Sequence, residues 1–230
     1  MIELPTQLPF NFSTNQQLSL DDYIVGNNQE VVSQLLNQQC PFIFIWSAKQ
    51  VGKTHLLSAL NSLYLEQKKT ALFVPLKNYQ FLHPSMLNNL ENADMVCIDD
   101  IDAIAGNKEW EHSLFHFYNN IKAKGNRLLV SAGQNAINIK FDLADLSSRL
   151  QWGLTYEIKE LSDDDLLKVL HNKSLKNHFK LSIEVSNYLL NQFSRDISQL
   201  LKLLDELSYQ SLSEQRKITV PFVKKYLQQR

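Results

Sequence analysis

The sequence predicts an α/β fold built on a parallel β-sheet, followed by a small all-helical domain. Between residues 42 and 158, short apolar runs alternate with longer helical patterns. The runs are continuously apolar rather than alternating, which is typical of parallel strands that are covered on both faces. After Leu161 the strand signals stop and helical periodicity alone continues. With 44% hydrophobic and 20% charged residues, the composition excludes a disordered or fibrous chain.

Three parts of the chain are predicted, starting with an extended tail over residues 1–19. The tail combines early prolines with Asn, Gln, Ser and Thr and shows no regular period. The 230 residues correspond to about one and a half typical domains, so we expect an α/β domain over residues 20–160 and a helical domain over residues 161–230. The first basic residue is Lys49, and no apolar stretch approaches the ~20 residues that span a bilayer. We therefore expect a cytoplasmic protein with no membrane contact.

Five strands and four carboxyl-terminal helices are predicted in order. The strands occupy residues 42–46, 71–74, 95–98, 128–130 and 156–158. Ser162, with Asp165 three positions on, resembles a capping box at the start of the first helix, and Ser182 begins the second. The third helix shows apolar residues at three- and four-residue intervals, namely Ile197, Leu200, Leu201, Leu204 and Leu207. Thr219 caps the last helix, with Pro221 in its first turn.

Bulk charge and cysteine content exclude several classes of function. The 23 basic and 24 acidic residues give a net charge of −1, so neither half is expected to bind a polyanion by charge alone. Cys40 and Cys97 stand beside or within apolar runs, which predicts reduced structural thiols rather than a disulfide or a zinc site.

A phosphate-binding loop is predicted directly after the first strand. Residues 47–54 read Ser-Ala-Lys-Gln-Val-Gly-Lys-Thr and lead into a helix. Binding a nucleotide's phosphates requires backbone N–H groups at a helix start, a lysine for the terminal phosphate oxygens and a hydroxyl for Mg²⁺. Gly52, Lys53 and Thr54 meet these needs. Ser47 stands where glycine is usual, and its Cβ narrows the backbone conformations available there.

Two carboxylates, Asp99 and Asp100, follow the third strand. They would emerge at the carboxyl edge of the sheet, where ligands bind in open α/β folds. In one interpretation Asp99 holds Mg²⁺ together with Thr54, and Asp100 orients the attacking water beside the nucleotide. In the other, these residues and Asp102 only cap a loop or helix. The phosphate loop upstream favours the metal site.

Three segments together resemble the AAA+ module of the bacterial replication initiator DnaA. They read GKTHLL at residues 52–57, CIDDI at residues 97–101 and LSSRLQWGL at residues 146–154. The last is the most specific, because Ser-Arg-Leu-x-Trp-Gly is not a generic ATPase string. The resemblance covers about residues 20–230. It implies an AAA+ core with a parallel five-stranded sheet, a helical lid domain, and ADP or ATP with Mg²⁺ as cofactors.

Among DnaA-related proteins, the sequence resembles the Hda family of regulators. The basic helix-turn-helix domain that follows the lid in DnaA is not expected here, because the chain ends at Arg230. An amino-terminal peptide of the Hda family binds the replication sliding clamp, and residues 7–12, QLPFNF, are similar to its Gln-Leu-x-Leu-x-Leu form. The resemblance implies that the clamp is bound by Gln7, Leu8, Phe10 and Phe12. Taken alone, the same peptide would instead suggest a tail that packs its two Phe rings on its own domain.

The resemblance also implies roles for individual residues. Arg149 matches the arginine finger that reaches a neighbouring subunit's nucleotide, whereas a lone arginine is usually a surface salt-bridge residue. Arg195 matches the lid arginine that touches the bound nucleotide, and residues 25–28 resemble the segment beside the adenine. The implied nucleotide-binding residues are Gly26, Ser47, Val51, Gly52, Lys53, Thr54, His55, Asp100 and Arg195.

These features predict an AAA+ adapter with two partners, DnaA and the DNA polymerase III sliding clamp (beta subunit). It would dock on the clamp and promote hydrolysis of DnaA-bound ATP, which inactivates the initiator and limits re-initiation of DNA replication. Little intrinsic ATPase activity is expected, because Gly133 and Gln134 stand where the family carries Asp and Arg. The alternative is a stand-alone DnaA-like ATPase that loads a helicase or binds nucleic acid. The sequence leaves open a weak DNA contact and a homodimer.

Overall fold

A five-stranded parallel sheet forms the centre of the structure, a computed structural model that describes residues 19–177 and 179–228. The strands lie in the order β2-β3-β4-β1-β5, and every neighbouring pair is parallel. Their bounds are β1 (Phe42–Trp46), β2 (Ala71–Pro75), β3 (Met95–Asp99), β4 (Arg127–Ala132) and β5 (Leu154–Glu157). The predicted fold class is confirmed, and each strand falls within two residues of its predicted position.

Helices cover both faces of this sheet. Helices α1 (Gln29–Leu36) and α2 (Lys53–Glu66) share one apolar core with Ile43 and Ile45, and α3 (Lys108–Lys124) and α4 (Ala144–Leu150) share the other with Phe44. Successive strand residues point to opposite faces, so a strand packed on both sides needs apolar residues throughout. This arrangement explains the continuously apolar runs of the sequence.

Four helices follow the sheet and form a helical lid domain with its own core. They are α5 (Asp163–Lys176), α6 (Ile183–Gln192), α7 (Ile197–Glu214) and α8 (Val220–Gln228). The hydroxyl of Ser162 accepts a hydrogen bond from the Asp165 N–H at 3.2 Å, and that of Ser182 accepts one from the Val185 N–H at 3.3 Å. The predicted starts of α5 and α6 are therefore confirmed. Asp196, which the sequence did not single out, caps α7 through the Gln199 N–H.

A buried arginine holds the start of β4 against the end of α1. The Arg127 guanidinium donates to the carbonyl oxygens of Gln34, Asn37 and Cys40, at 3.0 to 3.3 Å, and to the Tyr64 hydroxyl at 3.2 Å. Gln34 lies in the last turn of α1 and Asn37 is its C-cap residue, so two of these bonds satisfy carbonyls that have no partner within the helix. Cys40 lies in the segment between α1 and β1. Both cysteines are free thiols, as predicted. In the described part of the chain, no helix is long and apolar enough to cross a membrane.

Candidate functional site

The loop between β1 and α2 has the geometry of a phosphate cradle. Gly52 adopts a left-handed conformation, with φ of 91°, immediately before the first residue of α2. Glycine takes this conformation without strain, and the turn leaves the N–H groups at the start of α2 free of helical partners. The Lys53 ammonium spans the loop, donating to the carbonyl oxygens of Ser47 at 2.9 Å and Lys49 at 3.2 Å. An ammonium held in this position can contact the terminal oxygens of a phosphate chain.

Ser47 fits the position at which glycine is usual. The residue is buried, and its N–H donates to the Ala132 carbonyl oxygen at 3.3 Å, which extends the pairing of β1 with β4. Its hydroxyl accepts from the Lys49 N–H at 3.4 Å. The side chain therefore supports the loop instead of distorting it.

Thr54 and Asp99 meet at the base of the loop. The Thr54 hydroxyl donates to Asp99 Oδ2 at 2.7 Å, and the Ser131 hydroxyl donates to Asp99 Oδ1. Ser131 also accepts from the Asp100 N–H at 3.0 Å. It was missed by sequence reasoning because a serine inside a buried strand gives no signal of its own. Its position is set by the pairing of β3 with β4.

The Thr54 hydroxyl and the Asp99 carboxylate fit a magnesium ion. Both are hard oxygen donors, and Mg²⁺ in nucleotide sites takes one or two protein ligands and completes its octahedron with phosphate and water. Among residues 19–177 and 179–228, no group of three or more His, Cys, Asp or Glu side chains is arranged to hold a metal. Two oxygen donors from the protein suit an ion that arrives with a phosphate ligand.

Three carboxylates surround the Lys53 ammonium. Burial lowers the pKa of Lys53, and Asp100, Asp99 and Asp102 oppose that change. Burial raises the pKa of Asp100, the two neighbouring carboxylates raise it further, and Lys53 and Lys77 act in the opposite direction. Asp102 Oδ2 accepts from the Gly133 N–H at 3.1 Å. A second cation among these groups would relieve the repulsion between the carboxylates.

A cavity of about 120 Å³ lies beside the loop, between the core and the lid. The core contributes Tyr23, Val51, Gly52 and His55, and the lid residues that line it include Val169, Lys173, Ile197 and Leu201. The Tyr23 and His55 rings meet edge to face, with centroids 5.6 Å apart. His55 Nε2 lies 3.2 Å from the Ser19 carbonyl oxygen, and burial lowers its pKa. Largely apolar walls with a few polar groups suit a flat heterocycle.

Gly26 lies at the junction with the lid and does not line this cavity. Its φ is 51°, and a Cβ there would come within 2.7 Å of Leu161 Cδ2. Close by, Asn28 exchanges two hydrogen bonds with the Lys159 backbone, at 3.0 and 2.7 Å. The sequence places Asn28 in the segment beside the adenine but gives no sign of this partner, which lies 131 residues away. Gly26 therefore lies against Leu161, and Asn28 ties the amino-terminal segment to the stretch just before the lid.

Arg195 faces the phosphate loop across a second cavity. This cavity has a volume of about 460 Å³ and is lined by residues 48–51, Glu160, Asp163 and Arg195, among others. Arg195 Nη2 pairs with Asp163 Oδ2 at 2.9 Å, and Lys49 Nζ pairs with Glu160 Oε1 at 2.6 Å. All four side chains are more than half exposed, and such pairs are weak. Arg195 can therefore leave Asp163 and turn toward an anion in the loop.

Arg149 lies at the opposite edge of the sheet from the phosphate loop. It stands in the last turn of α4, which leads into the amino end of β5, whereas the loop follows the carboxyl end of β1. Arg149 is half-buried, and its guanidinium forms no ion pair within the described ranges. Burial raises the pKa of the Tyr118 hydroxyl, and the positive charge of Arg149 opposes part of that rise. The structure thus separates Arg149 from the candidate phosphate-binding loop of its own chain.

The segment after Arg149 is fixed by one close approach. A Cβ on Gly153 would come within 2.0 Å of Phe42 Cδ1, so the chain can pass the Phe42 ring only with glycine there. Trp152 is 76% exposed, and the Lys122 ammonium lies 5.5 Å from its ring centroid. The clamp-binding residues implied by the sequence, Gln7, Leu8, Phe10 and Phe12, fall outside the described residues.

Two family models match adjacent parts of the sequence. The model of the bacterial DnaA ATPase domain matches residues 15–157, and that of the Hda lid domain matches residues 163–227. An uncharacterised protein of Haemophilus influenzae is 38% identical over 226 residues, which is 96% of this chain and 98% of that protein.

Solved structures of DnaA share the fold. Domain III of the Thermotoga maritima replication initiation protein DnaA superimposes with a TM-score of 0.83 at 18% identity, covering 94% of this chain and 97% of that one. AMPPCP-bound DnaA from Aquifex aeolicus gives a TM-score of 0.66 at 23% identity, over 83% of this chain and 65% of that one. A DnaA bound to AMPPCP and single-stranded DNA gives 0.67 at 22% identity, over 87% and 68%.

Proposed function

The chain belongs to the family of the bacterial DnaA ATPase domain and carries an Hda-type lid, and on that basis we propose that it is an adapter that inactivates DnaA. It would bind an adenine nucleotide, dock on the DNA polymerase III sliding clamp and promote hydrolysis of DnaA-bound ATP, which limits re-initiation of replication. The observation that carries the proposal is the location of Arg149 at the sheet edge opposite the phosphate loop. An arginine there can serve another subunit's nucleotide but not its own.

Nucleotide binding by this chain is the first part of the proposal. Lys53 and the N–H groups at the start of α2 would hold the phosphates, and the cavity beside His55 would take the base. Thr54 and Asp99 would hold Mg²⁺, which would supply positive charge to offset that of the phosphates. The fold is shared with DnaA structures that contain AMPPCP, which supports ADP or ATP as the ligand.

Slow intrinsic hydrolysis is the second part. Gly133 has no side chain, and its N–H is already bonded to Asp102. Gln134 is exposed and uncharged, so neither residue supplies a cation near the terminal phosphate. Charge that develops on the transferring phosphoryl group would therefore be stabilised less than in a working ATPase. The nucleotide would act mainly to hold core and lid together.

Action on DnaA is the third part. In the proposed complex, Arg149 projects from α4 into the nucleotide site of an adjoining DnaA, where its planar guanidinium stabilises charge on the transferring phosphoryl group. The clamp brings the two AAA+ proteins together and raises the local concentration of Arg149. The proposal implies a cytoplasmic protein, because bacterial DNA replication takes place there.

The direct test follows labelled ATP that is already bound to DnaA. With ADP, this chain and clamp loaded on DNA all present, we expect rapid conversion of the label to ADP, and we expect slow conversion when any one of them is omitted. An intrinsic turnover by this chain of ~1 s⁻¹ or more, as in a working enzyme, with no effect on DnaA-bound ATP would overturn the proposal. That result would favour a stand-alone ATPase such as a helicase loader.

Clamp docking is tested in the tail. Gln7→Ala together with Phe10→Ala is expected to abolish binding to the immobilised clamp, because a short extended peptide binds through a few anchoring side chains. The melting temperature should stay unchanged, since tails contribute little to a packed core. Gln16→Ala with Gln17→Ala, in the same tail but outside the motif, is the control and should bind the clamp normally. A fall of many degrees in the melting temperature of the first variant would instead assign the tail a structural role.

A further inference from the structure

Glu111 is a carboxylate buried completely in the apolar core of the face that carries α4. Its side chain is 0% exposed, and neighbours on α3 such as Trp110 and Leu114 belong to that core. Oε1 accepts from the Gly106 N–H and Oε2 from the Leu143 N–H, each at 2.7 Å. Within the described ranges no cation pairs with it. A buried carboxylate is costly unless its oxygens are bonded, so both backbone contacts are essential to this arrangement.

The contact with Leu143 fixes the start of α4. Leu143 is the residue at the N-cap of that helix, and its side chain offers no hydrogen bond. Its carbonyl oxygen accepts from the N–H groups of Leu146 at 3.1 Å and Ser147 at 3.2 Å. One residue therefore anchors the helix through its carbonyl group and is itself held by Glu111 through its N–H. Glu111 thus has the part of the Glu or Gln in a capping box, whose carboxylate or amide oxygen accepts from the N–H of the N-cap residue, although it comes from a different helix.

The position of α4 determines where Arg149 projects. The helix has seven residues, and Arg149 is the sixth, so a tilt at its first residue is carried along a rod of ~10 Å to the guanidinium. The other backbone partner of Glu111 is Gly106, which follows the turn that contains Asp102, beside the proposed magnesium site. Glu111 holds both the loop that leaves the nucleotide site and the helix that carries Arg149.

We propose that Glu111 is a positioning residue for Arg149: by binding the N–H groups of Gly106 and Leu143, it sets the angle at which α4 presents the guanidinium to a partner's nucleotide. This inference rests on the proposed function. Because Glu111 is buried, it touches neither the partner nor its ATP. Its effect is on the rate at which a correctly docked partner hydrolyses ATP, since an error of ~1 Å in a reacting group can cost ~100-fold in rate.

Glu111→Gln tests this role with little change in size. The amide keeps one acceptor oxygen but presents N–H groups to the second backbone donor, so one of the two contacts is lost. We expect the maximal stimulated rate of DnaA-bound ATP hydrolysis to fall at least ~10-fold. The concentration of this chain needed for half the maximal effect should stay within about twofold, and ADP affinity should not change. Hydrogen exchange should show faster exchange at the Leu143 amide or, if the oxygen turns the other way, at the Gly106 amide.

Val74→Ala is the matched control for lost stability. Val74 is buried in the same core but lies on β2, at the far edge of the sheet from β5, and its truncation leaves both Glu111 contacts in place. When rates are measured well below the melting temperatures of Val74→Ala and of the unmodified chain, Val74→Ala should stimulate DnaA normally. Glu111→Asp keeps the charge but moves the oxygens back by the length of one methylene group. The same rate measurement on Glu111→Asp tests the role of Glu111 if the Gln variant does not fold.

The outcomes separate this inference from the proposed function. The role of Glu111 would be overturned if Glu111→Gln or Glu111→Asp stimulated DnaA fully although the Leu143 or Gly106 amide exchanged faster. If Arg149→Ala were inactive in the same assay, the proposed function would still stand. Equal loss in Val74→Ala would also overturn it, because general destabilisation would then explain the effect. Failure of the unmodified chain to stimulate DnaA at all would overturn both.

Discussion

Lys53→Ala is expected to lower the affinity for ADP about 100-fold. The ammonium spans the phosphate loop. A hydrogen bond between charged groups contributes ~1.5–3 kcal/mol, which is ~10- to 150-fold in affinity. The loss should lie at the upper end because Asp99, Asp100 and Asp102 would remain near the phosphates with no ammonium to offset them. Isothermal titration calorimetry with ADP and Mg²⁺ measures the change directly.

The control for this variant lies in the same loop. Lys49→Ala removes an exposed cation that pairs with Glu160 at the surface, and exposed pairs contribute little. It should leave ADP affinity within a few-fold of the unmodified chain. If Lys53→Ala bound ADP as well as Lys49→Ala does, the loop would not be a nucleotide site. Equal melting temperatures without nucleotide would show that both variants fold.

The sequence is most informative where structure depends on near neighbours. The capping serines Ser162 and Ser182 act on N–H groups three residues away, and the phosphate loop is one continuous segment between β1 and α2. Strand positions follow equally well, because burial on both faces leaves continuous apolar runs. These features were predicted with the correct element type and nearly the correct bounds.

The residues that sequence reasoning missed act over long distances along the chain. Ser131 orients Asp99 from 32 residues away, and Arg127 bonds to carbonyl groups as far as 93 residues away. A polar residue inside an apolar segment has the same appearance in the sequence whether it is paired or exposed. Glu111 shows this well, because its charge alone would place it in solvent, although its spacing from Leu114 and Tyr118 puts it on the buried face of α3. Only the fold shows which N–H groups reach it.

For Gly153 and Gly26 the sequence indicates a position in a motif, and the structure adds the contact that each glycine makes. Gly153 was noted as part of a specific string, and the structure gives a physical reason, the passage of the backbone against the Phe42 ring. The resemblance places Gly26 beside the adenine, and in the structure it lies against Leu161, which lines the cavity next to the phosphate loop. A side chain at position 26 would displace Leu161, a contact that only the structure shows.

Arg149→Ala is expected to have the largest effect, a loss of ~10³-fold or more in the stimulated hydrolysis of DnaA-bound ATP. A trans arginine stabilises charge that forms only in the transition state, and comparable residues contribute ~10³ to 10⁵ in rate. ADP affinity, fold and clamp binding should be unchanged, because the guanidinium lies at the sheet edge away from the chain's own loop and forms no ion pair in the described part of the chain. Ser148→Ala, an exposed neighbour on the same helix, is the control.

Arg149→Lys separates charge from shape at this position. Lysine keeps the positive charge but loses the planar fork that binds two phosphate oxygens together, so we expect stimulation nearly as poor as in Arg149→Ala. Partial recovery of activity by lysine would mean that the residue acts as a point charge in guiding association. Full stimulation by Arg149→Ala would remove the residue from the mechanism. If Arg149→Ala lost both ADP binding and stimulation, Arg149 would serve its own nucleotide site or the fold. Its location at the edge opposite the phosphate loop argues against that outcome.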